Sequence, residues 1–161
     1  VSIHVGIDPG HYGALAIFVD DKPPAIHPMP LRKYNAKNVE IDAERVHDLF
    51  ASYEYSGIDL AAIEQVGATP LFGSKSSFTF GKGFGMILAI LAIRGIPHIR
   101  VQPKEWKKKI LVGTDQSKEA AIGFVKRLYP KVSLVPPGKD KDSHDYAEAV
   151  CIGLYGKRYG K

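Results

Sequence analysis

Four carboxylates stand in this chain where acids on a solvated surface are not expected. Asp8 closes the apolar run Ile3–Ile7 and faces the turn Pro9-Gly10, and Glu64 ends the run Asp59-Leu-Ala-Ala-Ile-Glu64. Asp142 and Asp145 lie three residues apart at the head of the last helical segment, a spacing that puts both on one helix face. A carboxylate on a buried strand is costly unless it is paired or bound to a metal. Clustered acids also raise one another's pKa unless a cation sits among them. Hard oxygen donors of this kind suit Mg2+, with Mn2+ able to substitute. Two such ions can activate water and stabilise the leaving oxygen of a phosphodiester. Each acid alone has a plainer reading: Asp8 as turn former, Glu64 as a strand-end surface group, Asp142 as helix N-cap, Asp145 as a first-turn acid complementing the helix dipole. Taken together, on two strand ends and one helix start, they point to a metal-binding cluster.

The elements that must position these acids follow from periodicity and punctuation. Ile3, Val5 and Ile7 alternate as in a strand, Gly13–Val19 forms a second apolar run, and Ala25–Leu31 reads as an edge strand because of its prolines. Residues 35–42 read as loop. Asp42 is placed to cap a helix carrying Arg45, Val46, Leu49, Phe50 and Tyr53 at helical spacing. A buried strand over 58–66 follows, then a glycine- and serine-containing stretch and a helix over 76–94 with Gly95 at its C-terminal cap. Residues 96–101 make another strand, Pro103 opens a basic helix, 115–128 form the next, and 142–155 form the closing one. Three antiparallel strands followed by helix, strand, helix, strand and helices describe an α/β chain whose sheet carries an antiparallel edge. No repeat or linker divides the 161 residues, so one domain is expected.

Composition narrows the setting. With 45% apolar and 24% charged residues, the chain has the balance of an ordinary globular protein. The longest apolar run, 83–93, falls short of the roughly 20 residues of a membrane span, so no membrane partner is expected. The opening residues alternate as a strand and do not resemble a secretory signal. The one cysteine, Cys151, excludes an internal disulfide and a Cys-based zinc site, and fits a reducing, cytoplasmic setting. It is expected to be a buried apolar residue of the last helix. The net charge of +5 favours a polyanionic partner without establishing one, and lysines crowd the second half of the chain.

The motifs Ile7-Asp8-Pro9-Gly10, Ala62-Ile63-Glu64-Gln65-Val66 and Asp142-Ser-His-Asp145-Tyr-Ala-Glu-Ala149, in that order, resemble RuvC-type Holliday junction resolvases, most closely the phage-encoded branch. The resemblance covers nearly the whole chain. It implies one RNase H-like nuclease domain over residues 1–161, with a mixed five-stranded sheet of three antiparallel strands then two parallel ones, flanked by helices. It also implies a homodimer that resolves four-way DNA junctions by paired symmetric nicks in the cytoplasm of a bacterial or phage-infected host cell. Catalysis and metal binding are assigned to Asp8, Glu64, Asp142 and Asp145, with His144 as alternative ligand or supporting residue. Basic groups near the cleft correspond to Lys104, Lys107 and Lys118, which would neutralise phosphates.

One departure bears on selectivity. Where the best-known resolvases carry an aromatic wedge a few residues after the glutamate, this chain has Gly67, and Phe72, Phe78 and Phe80 come later. Phe72 and Phe78 are candidates to stack on bases, and helix packing is the simpler role for Phe78, Phe80 and Phe84. Gly81, Gly83 and Gly85, followed by an apolar excess, suit a helix–helix dimer interface or core packing equally. The alternatives to a junction resolvase are a broader branched-DNA, flap or hybrid nuclease of the same fold and a non-cleaving junction-binding protein. An actin-like ATP-binding protein is excluded by length and by the missing second Asp-x-Gly turn.

Overall fold

The computed structural model describes residues 1–53, 57–67 and 71–161. In chain order its elements are β1 (Ile3–Ile7), β2 (Ala14–Val19), β3 (Ala25–Pro28), β4 (Leu31–Lys33), β5 (Val39–Ile41), α1 (Ala43–Ala51), β6 (Leu60–Glu64), α2 (Ser74–Ile93), β7 (His98–Val101), α3 (Pro103–Ile110), α4 (Lys118–Leu128) and α5 (His144–Tyr159). The main sheet runs β3-β2-β1-β6-β7. Its first three strands pair antiparallel, and β6 and β7 join β1 in parallel, as the sequence led us to expect.

Alternation along the strands divides the core into two layers. Ile3, Val5, Ile7, Leu15, Ile17, Ala61 and Ile63 pack beneath α1 and α2 with Val46, Phe50, Ile87 and Leu91. Ala14, Ala16, Phe18 and Ala62 face the other way, against α3, α4 and α5. The last helix is buried on almost every side, from Tyr146 to Gly156, and Cys151 lies within it as expected. Burial pushes the Cys151 thiol up to about 12, so it stays protonated. Close approach of α5 to β1 depends on glycine. A Cβ on Gly6 would overlap the Ala149 carbonyl oxygen and lie 2.6 Å from the Gly153 Cα.

Several boundaries differ from expectation: the edge strand read over Ala25–Leu31 ends at Pro28, with Leu31 opening β4 in a second sheet, and the closing helix runs over His144–Tyr159 where 142–155 was expected. Residues 35–42, read as loop, contain β5, which pairs with β4 through Leu31↔Ile41 and Lys33↔Val39. Their turn is held by Asn35, whose Oδ1 accepts from the Lys37 and Asn38 amides at 3.0 and 2.9 Å. The helix expected over 115–128, α4, starts at Lys118, where the Ser117 side chain caps it. α2 begins two residues early, and its 20 residues, with a mean hydropathy of 1.5 over the most apolar window, are long and apolar enough to cross a membrane, unlike the shorter run read from sequence. Gly83, Ile87, Ile90 and Leu91 on α2 are buried in the protein. Asp42 caps α1 and Gly95 adopts a left-handed φ of +64° after α2, both as anticipated. Within the glycine- and serine-containing stretch after β6, residues 68–70 lie outside the described residues.

Candidate active site

Parallel register brings the first two acids together. Gly6 pairs with Ala62 and Ile7 with Ile63, so Asp8 and Glu64 are next in line on neighbouring strands. Both share the face of Gly6 and Ala62, which is the face covered by α5. Each side chain is held in a buried setting, with 7% of either residue exposed. The glycine contacts between β1 and α5 then set the head of that helix over the strand ends. One oxygen each from Asp8, Asp145 and Glu148 lies within 4.8 Å of the others.

The electrostatics of this cluster are unfavourable without a cation. Burial, then the Glu64 charge, raises the Asp8 carboxyl to about 8, with Asp145 and Glu148 adding to the shift. A hydrogen bond from the Gly10 amide to Asp8 Oδ1, 3.2 Å long, opposes it. Burial likewise raises Glu64, opposed first by the Trp106 indole and then by the charge of Lys107. The indole Nε1 donates to Glu64 Oε1 at 2.8 Å, and the Lys107 ammonium stands 3.7 Å from Glu148 Oε1. A crowded, oxygen-only donor set with a carboxyl held up by its neighbours is what a hard divalent cation relieves. Asp8, Asp145 and Glu148 fit that role, with Glu64 beside them.

The expected acid pair is rearranged. Asp142 precedes α5, because Ser143 is the N-cap and accepts from the Tyr146 amide. It therefore does not share a helix face with Asp145. Its Oδ2 instead accepts from Lys126 Nζ at 2.7 Å, and it stands outside the trio while still lining the same cleft. The residue that shares the helical face with Asp145, one turn on, is Glu148, whose side chain is 12% exposed. Glu148 was within the quoted motif, and its i, i+3 spacing from Asp145 was the available signal. His144 lies beside the site, its Nε2 3.2 Å from Asp145 Oδ1.

The cleft over these acids has a volume of about 950 Å³. Lys118, Lys139 and Lys141 line it, so positive charge borders the same cleft as the carboxylates. Lys107 reaches the site through Glu148, whereas Lys104 is exposed and outside the lining. Phe72 and Phe78 are 47% and 73% exposed, and neither lines the cleft; Phe80 does. Sequence reading also passed over Tyr12, which is 86% exposed on the turn after Asp8 and lines the cleft.

The sheet order and the flanking helices are those of an RNase H-like fold, as found in RuvC structures. RuvC of Thermus thermophilus, solved in complex with a Holliday junction substrate, is 17% identical with a TM-score of 0.62, over 99% of this chain and 98% of that one. A second Thermus thermophilus RuvC structure is 18% identical with a TM-score of 0.59, over 96% and 95% of the two chains. No protein-family model matches the sequence, and no curated protein matches it.

Proposed function

We propose that this protein is a metal-dependent endonuclease that resolves four-way DNA junctions by paired nicks, acting as a homodimer in the cytoplasm of a bacterial or phage-infected cell. The observation that carries the reading is the carboxylate trio of Asp8, Asp145 and Glu148, with the buried Glu64 beside it, at one end of a RuvC-like sheet and beneath a cleft lined by lysines. A RuvC with this fold engages a Holliday junction substrate. Magnesium is the cation proposed, with manganese able to replace it, and when bound it supplies an activated water and charge for the leaving oxygen. The chain's own residues do the rest. Asp8, Asp145 and Glu148 hold the cation, Glu64 completes the oxygen set, and Asp142 with His144 borders it. Lys118, Lys139 and Lys141 receive the strand's phosphates, and Lys107 offsets charge behind the site.

The dimer rests on α2. Only 22% of its most apolar window is buried, and Phe78 and Ile93 on it stand 73% and 84% exposed. An apolar helix left this exposed favours a protein partner, here a second copy. A broader branched-DNA nuclease is the second reading, favoured by the exposed Gly67 where a wedge would stand. Labelled four-way junction, duplex and flap DNA, each with and without Mg2+, separate these readings. Symmetric metal-dependent nicks confined to the junction and lost in Asp8→Asn are expected. Nicking of flaps as well would support the broader nuclease, and binding without cleavage under any metal would leave a junction-binding protein.

A further inference from the structure

The chain's single tryptophan is placed where the site most needs a donor. Trp106 is fully buried, and its indole N–H donates to Glu64 Oε1 at 2.8 Å. Its place is fixed from two directions. β7 pairs with β6 so that Val101 stands opposite Glu64, and the Val101 carbonyl accepts from the Gln65 amide at 2.9 Å. α3 then starts at once on Pro103, with Glu105 Oε2 accepting from the Gln102 amide at 3.0 Å. The same turn carries Lys107, whose ammonium lies 5.3 Å from the Trp106 ring centroid and 3.7 Å from Glu148 Oε1. Filling the core does not of itself require the indole N–H to meet a carboxylate. A buried indole N–H does require an acceptor, and here the acceptor is a member of the acid cluster.

We propose that Trp106 is a positioning residue: its indole N–H fixes the Glu64 carboxylate by one oxygen and leaves the other, Oε2, to the metal-binding cleft. This rests on the nuclease reading above. A carboxylate held in this way loses no rotational freedom when the cation arrives, and such supporting hydrogen bonds matter to affinity about 10- to 100-fold.

The test uses the full chain, Trp106→Phe, Glu64→Gln and the double variant. Mg2+ and Mn2+ binding is read by calorimetry, fold by circular dichroism, and cleavage of a four-way junction by kcat and KM. Trp106→Phe is expected to stay folded, to bind either cation about 10- to 100-fold more weakly and to lower kcat with KM for DNA unchanged. In the Glu64→Gln background the same change should cost less than about threefold, because coupled residues are not additive. The wild-type protein gives a second readout that needs no variant. Emission of its one tryptophan should change with Mg2+ over the concentrations at which calorimetry detects binding. Wild-type affinity and kcat in Trp106→Phe, an undiminished loss in the Glu64→Gln background, or emission blind to bound cation would each overturn the role of the indole while the nuclease stands. A wild-type protein that binds no cation and cuts no branched DNA would remove the nuclease reading and this inference with it.

Discussion

Replacing Asp8 by Asn should make the metal-free protein more stable while abolishing the proposed nuclease activity. In the folded chain the Asp8 carboxyl is raised from 3.8 to about 8 by burial and by the charge of Glu64. The stability linked to this group is thus fully present below pH 3.8 and is lost as pH rises towards about 8. Each pH unit in that window costs about 1.4 kcal/mol, so at pH 7 the penalty is about 4 kcal/mol. That is a large share of the roughly 5–15 kcal/mol by which a domain is stable. Asparagine removes the charge and keeps the Oδ1 that accepts from the Gly10 amide. Urea melts in EDTA between pH 4 and pH 9 should show the variant equal to wild type at the acid end and about 4 kcal/mol more stable at pH 7, roughly 10 °C in Tm. Magnesium should then raise the wild-type Tm, increasingly so towards pH 8, and leave the variant unmoved. A stability difference that is flat with pH, or an Asp8→Asn protein less stable than wild type at pH 7, would refute the account of a repulsive, cation-seeking cluster.

Other substitutions test other parts of the site. Glu148→Gln should weaken Mn2+ binding about 10- to 100-fold by calorimetry, and Asp142→Asn should weaken it less, because Lys126 already holds Asp142 outside the trio. Lys107→Met should move the acidic limb of the pH–rate profile upward, since the Lys107 charge lowers the raised Glu64 carboxyl. Gly6→Ala should lower stability by about 1–3 kcal/mol or more in a urea melt, because its Cβ meets the α5 backbone, which has no flexible end to give way. Tyr12→Ala should leave Tm unchanged, the ring being 86% exposed, and should weaken junction binding in metal-free gel shifts by about 1–3 kcal/mol if the ring stacks on a base.

Much of the fold was legible because its strands carry clean signals. The alternation of Ile3, Val5 and Ile7 and the apolar run before Glu64 predict β1 and β6, and the end of each run is where the structure puts Asp8 and Glu64. The β4–β5 hairpin was not legible, since two strands of three residues are too short to show a period. The acid pair of the last helix was misjudged over one residue of helix start. Asp142 and Ser143 are both good N-caps, and the serine takes the role. That choice leaves Asp142 on the preceding turn and hands the partner position on the helix face to Glu148. The lysines were hardest to assign, because charge density says nothing of direction. Lys118 lines the cleft and Lys104 does not, although both are exposed.

The compensation around the acids explains where a cation gains most. Glu64 has the indole and the nearby Lys107, Glu148 has Lys107, and Asp142 has Lys126. Asp145 stands in the first turn of α5, where the helix dipole favours negative charge. Asp8 has the Gly10 amide at 3.2 Å, while the charges that act on it, those of Glu64, Asp145 and Glu148, are all negative. Burial first, and then these negative charges, drive its carboxyl to about 8, and protonation is how the metal-free protein relieves the strain. A divalent ion held by Asp8, Asp145 and Glu148 would supply that compensation in place of the proton, with Asp8 charged. Cation binding at this cluster should therefore release a proton near neutral pH. Calorimetric titrations in buffers of different ionisation enthalpy should detect that proton at pH 7 and lose it above pH 9.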